Sequence, residues 1–394
     1  DVCMSDVDAA WITPPYDLMR SVPEADVLSG TDCLNVPWDL DRTPRSGSSK
    51  NCGHQPGART SAWFNTGVMM FRARRRTIDM IVEWKQTMEL IHGEAQADDQ
   101  LTFNQLVGTV WASGRLHGRA SKFYPLRAAS SDNRVIFDGN GSRTIHAIPA
   151  SVVCSAHVYH VQQAAVQKRC IVLHLTFVEG WPKNPAKFWR LREAALLPVS
   201  PEPFHAKYLS FTSPQPGAIP PESAGPAPAR AHGGKGWTVS DSLRWSPRFV
   251  AHLEIVDRHI AALRNALGIA RVLGRQLVMP RMMCLCERSE SPDALLPKCT
   301  LTGASTPIPH VCPLESVYDV ARLDTLMRYV PLRPWTFLNK TIHKPPQGVK
   351  PFDLIGDVAT VRWRPLQAPA VGSAASSVTP ASQADSPKHV WLDL

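Results

Sequence analysis

The sequence predicts an α/β protein in which a mixed sheet is flanked by helices and a second, smaller α/β unit follows. Three observations predict this class. Short apolar runs alternate with amphipathic stretches from residue 1 to about 212. A segment rich in Pro and Gly then follows at 213–236, and its apolar content is too low for it to fold. Beyond it, a long helical pattern at 248–273 leads into the strand pattern GRQLVMP.

These composition changes predict four regions. They are a first α/β domain at 1–212, a linker at 213–236, a Cys-containing α/β extension at 237–364 and a disordered tail at 365–394. The sequence opens inside an apolar strand pattern, so we expect it to be part of a longer protein.

Apolar periodicity predicts the individual elements of these regions. Strands are expected at 2–12, 25–29, 64–72, 156–162 and 170–177, and helices at 77–92, 101–107 and 248–273. The apolar face of the second-region helix is predicted to contain Leu253, Val256, Ile260, Leu263 and Leu267. In the helix at 77–92, the apolar spacing is carried by Ile78, Ile81, Trp84 and Met88.

Charge and hydropathy narrow the possible partners. The net charge of +9 and the pI near 9.2 favour an anionic partner. The basic clusters do not form a helix-turn-helix, zinc-finger or RNP pattern, so we expect no nucleic acid. No apolar run approaches the ~18 residues that span a bilayer, so we expect membrane attachment only through a missing N-terminal anchor.

The cysteines indicate the compartment. Of nine cysteines, four lie close together: Cys284, Cys286, Cys299 and Cys312. Their C-x-C pair lacks the usual spacer of a zinc knuckle, so disulfides of a secretory compartment are favoured over a zinc site. Glycosylation sequons at Asn140 and Asn339 agree with that compartment.

Two carboxylates lie one residue apart near the start of the chain, at Asp6 and Asp8. Side chains alternate along a strand, so both acids are expected on one face, where they can bind a hard divalent cation that in turn binds a diphosphate. Asp39 and Asp41 repeat the spacing. The alternative interpretation is a strand end followed by a polar turn.

Three later segments support the first interpretation. FNTGVMMFR places Asn65 and Gly67 at a strand start, where a sugar ring can approach the backbone, although Gly67 could instead serve a bulge. Asp99 and Gln100 begin a helix and suit sugar hydroxyls, or simply cap that helix. His174 ends a strand ahead of a basic run, and imidazole beside carboxylates suits manganese, although an isolated buried histidine more often belongs to a core.

The segments SDVDAAWI, FNTGVMMFR, DDQLTFNQL and VLHLTFVEG, followed by KFWRLREA, resemble in this order the nucleotide-diphospho-sugar transferases of glycosyltransferase family 77. The later LGRQLVMPRMMCLCE and PHVCPLESVYD resemble the C-terminal extension of plant and green-algal arabinosyltransferases that act on hydroxyproline-rich glycoproteins. The resemblance implies a GT-A-like fold whose nucleotide-binding βαβ portion would precede residue 1.

The resemblance also implies residue roles by position. These are metal binding for Asp6, Asp8 and His174, contact with the transferred sugar for Asp99 and Gln100, a sugar-pocket strand for Asn65, Thr66 and Gly67, and a basic stretch at the diphosphate for Lys187, Arg190 and Arg192.

The resulting hypothesis is a Golgi-lumenal, type II membrane glycosyltransferase. It would use Mn²⁺ and a UDP-sugar donor to transfer a pentose, L-arabinofuranose, to glycans of hydroxyproline-rich glycoproteins, with a retaining outcome. The alternative is a non-catalytic carbohydrate-binding or scaffold relative of such an enzyme, because the nucleotide-binding portion is missing from the sequence. The basic stretch also differs from the family, with Phe188 and Trp189 where more charge is usual.

Overall fold

The structure is a computed structural model with all side chains. It describes residues 1–34, 36, 39, 63–91, 98–107, 135–137, 143–162, 169–178, 183–197, 206–217, 247–285, 308–338, 358–363 and 389–392. Among these, the residues up to Val178 form one compact unit and those from Lys183 onward form a second. None of the described helices has the length and apolar composition that a membrane-crossing segment requires.

The first unit contains two sheets. Its elements are β1 (Val2–Ser5), β2 (Ala9–Trp11), α1 (Tyr16–Ser21), β3 (Val27–Thr31), β4 (Phe64–Phe71), α2 (Arg75–Ile91), α3 (Asp99–Val107), β5 (Val135–Phe137), β6 (Thr144–Ala147), β7 (Val153–Ser155), α4 (Ala156–Val161) and β8 (Val172–His174). The larger sheet has the order β1-β4-β3-β6-β5 and the smaller one β2-β8-β7. Both are mixed, since β3 pairs in parallel with β6 and β7 with β8 while the other pairs are antiparallel.

Strand β4 forms the centre of the first unit. All eight of its residues are buried, which explains why its second half, residues 68–71, is continuously apolar instead of alternating. One face packs on α2 and α3 through Met69, and the other packs toward β7 and β8 through Val68 and Met70. The strand therefore holds Asn65, at its polar start, in a fixed position.

Buried Asp26 fixes the start of β3. Its carboxylate accepts hydrogen bonds from Arg76 Nε at 2.7 Å, Arg74 Nη1 at 2.9 Å and the Thr144 amide at 2.9 Å. Burial by itself raises the pKa of this carboxyl, but hydrogen bonds from Thr144, Arg76 and Arg74 outweigh that effect and leave the pKa lowered. The ionised group thus ties β3, β6 and the beginning of α2 together.

The structure differs from the sequence prediction at two elements of this unit. Residues 156–161 form helix α4, not a strand, because Ser155 caps the helix by accepting a hydrogen bond from the Val158 amide at 3.2 Å. Helix α2 buries Met80 and Trp84, whereas Ile78 and Ile81 are exposed. The apolar stripe predicted from spacing therefore lies partly toward solvent.

The second unit is built on a parallel sheet. Its elements are α5 (Lys183–Glu193), β9 (Tyr208–Phe211), α6 (Pro247–Val272), β10 (Gln276–Val278), β11 (Met282–Cys284), β12 (His310–Cys312), α7 (Val320–Leu326), β13 (Leu332–Arg333), β14 (Val358–Trp363) and β15 (His389–Leu392), with 3-10 turns at Leu314–Ser316 and Trp335–Leu338. The sheet order is β13-β10-β9-β14-β15, and every pairing in it is parallel. In chain order this is third, second, first, fourth, fifth, the doubly wound arrangement.

Three features of this unit refine the predictions. Of the predicted apolar face of α6, Leu263 is buried whereas Leu253 and Ile260 are exposed. Ile255 and Ala266 are buried in addition, so the buried face is rotated partly away from the predicted one. A disulfide joins Cys284 on β11 to Cys312 on β12, as another joins Cys154 to Cys170 in the first unit. The tail at 365–394 is predicted to be disordered, but its residues 389–392 form strand β15, which is ordered by its pairing with β14.

The remaining predicted features fall partly outside the described residues. Described residues of the predicted linker are 213–217 only, and the sequons at Asn140 and Asn339 and the cysteines Cys286 and Cys299 are not among them. The region boundaries at 212 and 236 therefore stay predictions.

Candidate metal centre and sugar pocket

The Asp-x-Asp pair lies in a turn, not in the middle of a predicted strand. Strand β1 ends at Ser5, and the chain then leaves the larger sheet to join the smaller one. The Asp6 amide donates to Gly67 O at 2.8 Å, and the Leu175 amide donates to Asp8 O at 3.1 Å. Because each aspartate backbone is bonded to a different sheet, the turn holds both carboxylates at the junction of the two sheets.

His174 lies beside the two carboxylates, at the position where the family resemblance predicts a third ligand. Its Nε2 lies 3.4 Å from Asp6 Oδ2 and 3.4 Å from Asp8 Oδ1. One potential ligand atom from each of the three residues lies within 4.8 Å of the others. The pairing of β2 with β8 sets Ala9 opposite His174, and this register brings the two distant sequence segments together.

The exposure of the three side chains is graded. The exposed fraction is 60% for Asp6, 20% for Asp8 and 5% for His174. The group therefore has a fixed buried base and an open side, which is the arrangement that a metal shared with a ligand requires.

Gly67 forms the wall of this cluster. A Cβ atom built at Gly67 would lie 2.6 Å from Asp6 Oδ2 and 2.6 Å from His174 Nε2, and it would contact His174 Cε1 more closely still. The backbone of Gly67 lies outside the left-handed region, so glycine is not required there for its conformation. Its missing side chain instead leaves the space in which the three ligand atoms converge.

The donor set fits a divalent cation. Two carboxylate oxygens and one imidazole nitrogen offer mixed ligation, which suits borderline ions better than calcium or magnesium. Without a cation, two carboxylates would repel a diphosphate. The residues present therefore fit a metal-bridged diphosphate site.

The predicted sugar-pocket residues lie on β4 and at the start of α3. Thr66 donates its hydroxyl to Asp99 Oδ2 at 2.7 Å, which fixes one oxygen of that exposed carboxylate. Asn65 Oδ1 accepts a hydrogen bond from the Gly67 amide at 3.0 Å. Asn104 of α3 accepts a hydrogen bond from the Phe64 amide through Oδ1 and donates one to the Phe64 carbonyl through Nδ2, both at 2.8 Å. These two bonds hold α3 against β4.

Asp32 is a site residue that the sequence reasoning missed. It directly follows β3, and its carboxylate accepts hydrogen bonds from Asn65 Nδ2 at 2.8 Å and Gln100 Nε2 at 2.8 Å. The available signal was its position, since a polar residue at the end of a buried strand often faces a ligand site. The segment at 31–61 is rich in Gly, Ser, Pro and Asn, which is typical of a surface loop, and this composition hid the signal.

The basic stretch belongs to the second unit. Arg190 is buried and forms an ion pair with Glu315, next to buried Glu193. Burial, reinforced by the Glu315 carboxylate and opposed by Arg190, raises the pKa of Glu193 to about 8.

Two other residues of helix α5 complete the predicted basic stretch. Arg192 Nη1 lies 3.3 Å from Asp324 Oδ1, and the guanidinium stacks on Trp189 at 4.9 Å. Half-buried Lys187 lies on the same helix. The roles of Lys187, Arg190 and Arg192 at a diphosphate therefore remain predictions.

The mixed sheets flanked by helices and the Asp6–Asp8–His174 cluster agree with the class of nucleotide-sugar transferases. Residues 1–188 match the family of nucleotide-diphospho-sugar transferases. The match covers the first unit and extends into α5. The predicted family and the predicted class of mixed sheets flanked by helices are confirmed. This match agrees with the predicted class of enzyme, a glycosyltransferase.

One similar protein is arabinosyltransferase XEG113 of Arabidopsis thaliana. It is 26% identical over 326 residues, which are 81% of this chain and 42% of that protein. The chain thus spans less than half the length of this relative. No solved structure matches the chain.

Proposed function

We propose that the first unit is the catalytic part of a manganese-dependent glycosyltransferase that transfers L-arabinofuranose from a UDP donor to glycans of hydroxyproline-rich cell-wall glycoproteins. The convergence of Asp6, Asp8 and His174 beside Gly67 carries this proposal. The pentose and the acceptor are supported by the relative, which is an arabinosyltransferase, and by the family motifs.

The metal residues would have one electrostatic task. A bound divalent ion supplies positive charge to the diphosphate and stabilises it as it departs. Asp6, Asp8 and His174 would hold that ion, and His174 would keep the group from shifting because its ring is buried. Manganese is preferred in the proposal because of the nitrogen ligand.

The sugar-pocket residues would orient the reacting carbon. Asp99, held by Thr66, and Gln100 would accept hydrogen bonds from sugar hydroxyls at the start of α3. In the transfer, the bond between C1 and the phosphate oxygen breaks and a bond between C1 and the acceptor oxygen forms. The acceptor proton passes to the departing phosphate oxygen, and attack from the face of departure gives retention.

The compartment proposed is the Golgi lumen, with a type II anchor in the longer protein. The disulfides Cys154–Cys170 and Cys284–Cys312 support an oxidising compartment, because disulfides are rare in reducing ones.

The alternative, a carbohydrate-binding relative without activity, is favoured by one observation. Arg190 is already neutralised by Glu315, so it does not offer its charge to a departing diphosphate.

The test measures manganese-dependent hydrolysis and transfer of UDP-L-arabinofuranose by the wild type and by Asp8→Asn. The variant keeps the backbone hydrogen bond from Leu175 but removes one negative charge from the proposed metal ligands. We therefore expect kcat/KM to fall on the order of 100-fold. Asp17→Asn on α1 is the matched control, because Asp17 is 92% exposed and pairs locally with Arg20. Undiminished activity of Asp8→Asn contradicts the site, and calorimetric binding of UDP and Mn²⁺ without turnover supports the alternative.

A further inference from the structure

One carboxylate connects the two amide side chains of the sugar pocket. Asp32 Oδ1 accepts from Asn65 Nδ2 and Asp32 Oδ2 accepts from Gln100 Nε2, both at 2.8 Å. We propose that Asp32 is a positioning residue, which fixes the hydrogen-bonding polarity of both amides and, through Asn65, the backbone that carries the metal ligands. This inference rests on the proposed function and deepens it.

The chemistry of the three groups imposes the polarity. An ionised carboxylate only accepts hydrogen bonds, whereas an amide side chain has an accepting oxygen and a donating NH₂ group. Each amide must therefore turn its NH₂ group toward Asp32 and its oxygen away. An amide without such a partner can rotate by half a turn and exchange the two ends, so Asp32 removes an ambiguity that the amides would otherwise have.

The Asn65 arm leads to the metal cluster. The Asn65 oxygen, turned away from Asp32, accepts the Gly67 amide hydrogen at 3.0 Å. The carbonyl of Gly67 accepts the Asp6 amide hydrogen at 2.8 Å. A chain of three hydrogen bonds therefore runs from the Asp32 carboxylate to the backbone of the first metal ligand, and a reversed Asn65 amide would oppose the Gly67 donor with another donor.

The Gln100 arm leads to the substrate. Gln100 follows Asp99 at the start of α3, and its NH₂ group is used by Asp32. The atom that Gln100 presents on its other side is its oxygen, which accepts a hydrogen bond from a hydroxyl group. The arrangement therefore selects a ligand that donates a hydroxyl proton at this point, as a sugar does.

Asp32 is itself held firmly. Its amide donates to Trp63 O at 2.9 Å, which anchors the end of β3 to the residue preceding β4. The side chain is half-buried, so its two charge-assisted bonds are only partly screened by water. The carboxylate thus acts as a fixed acceptor between two secondary-structure elements.

Reversing the polarity of one arm at a time tests this role. In Asp32→Asn the introduced NH₂ group faces one of the two amide NH₂ groups, so one bond is lost. Adding Gln100→Glu restores it, because the carboxylate introduced at position 100 accepts from the amide introduced at position 32. The oxygen of that introduced amide still accepts from Asn65, and the ligand-facing atom at position 100 is still an oxygen. Asp32→Asn with Asn65→Asp restores the other arm in the same way, with the same net charge.

The first readout is kinetic. We expect Asp32→Asn to lower kcat for UDP-sugar hydrolysis roughly 10- to 100-fold with a smaller change in KM, because the variant disturbs the orientation of the bound sugar more than its affinity. Gln100→Glu alone sets two carboxylates against each other and is also impaired. Each double variant is expected to recover most of the loss, and Asp17→Asn to behave as wild type. A kcat of Asp32→Asn within about threefold of wild type, or double variants with merely multiplied losses, overturns the inference.

The second readout needs neither metal nor activity. Unfolding temperatures measured in EDTA for Asp32→Asn, Gln100→Glu and their double variant form a cycle in which the double variant is expected to be more stable than the two single shifts predict. Additive shifts overturn the inference. If the wild type is inactive with every UDP-sugar, the proposed function fails while this cycle still decides the role of Asp32.

Discussion

Replacing Gly67 by alanine would place a methyl group inside the proposed metal cluster. In strand β4 the backbone accepts alanine without strain, so the substitution acts through space alone. The added carbon would lie 2.6 Å from both Asp6 Oδ2 and His174 Nε2, where ordinary van der Waals contact begins at 3.4 Å. The ligand atoms must therefore move by several tenths of an ångström or more.

The size of this displacement decides the expected effect. Metal–ligand distances are held within ~0.2 Å in functional sites, so the required movement is several times the tolerance. The closest contact is with the ring of His174, which is buried and can move only if the packing around it shifts, whereas Asp6 is 60% exposed and can move into solvent. We expect the His174 ring and the Asp6 carboxylate to be forced apart, Mn²⁺ affinity to fall on the order of 100-fold, and stability to fall by about 1–3 kcal/mol from overpacking.

The assay is calorimetric titration of Mn²⁺ into the wild type and the variant, with urea unfolding to measure stability. Gly30→Ala is the matched control, because its Cβ would lie 3.1 Å from Val153 Cγ1 in the same unit, away from the metal ligands. The control is expected to lose some stability and to keep its metal affinity. Equal Mn²⁺ affinity in Gly67→Ala and wild type would refute the convergence of the three ligands.

Two further predictions concern the second unit. Because the pKa of Glu193 is raised to about 8 in the folded state from ~4.3 in the unfolded state, the folded protein holds an extra proton between these values and loses stability as the pH rises through them. The urea midpoint should therefore fall less between pH 5 and pH 8 in Glu193→Gln than in wild type. An equal fall in both proteins would contradict this. The Cys284–Cys312 disulfide closes a loop with a sequence separation of 28, so Cys312→Ser should lower the free energy of unfolding of this unit by about 3–4 kcal/mol. A change below about 1 kcal/mol would indicate that the pair does not constrain the unfolded chain.

The sequence determined the elements that depend on neighbouring residues. The apolar run of β4 predicts a strand buried on both faces, and the structure buries all eight residues. The helical patterns of α2 and α6 predict those helices nearly to their ends. The spacing of Asp6 and Asp8, together with the family resemblance at His174, predicted three residues whose potential ligand atoms the structure brings within 4.8 Å of one another.

The sequence did not determine which face of each helix is buried. Of the apolar face that spacing predicts on α2, Trp84 is buried but Ile78 and Ile81 are exposed, because α3 and β4 cover the side that carries Trp84 and Met80. Residues 156–161 have strand-like composition, but the cap at Ser155 begins a helix there. In the first case contacts with other elements outweigh a weak local preference, and in the second a local cap outweighs the strand propensity of the residues that follow it.

Only the tertiary structure decided how the site is assembled. The pairing of β2 with β8 brings His174 to the Asp6–Asp8 turn, and the end of β3 brings Asp32 between Asn65 and Gln100. These residues are far apart along the chain, so no local pattern records their contact. The sequence thus determines which residue types are available for the chemistry. Their contact depends on strand register and on hydrogen bonds between distant segments, and these form only when the sheets fold.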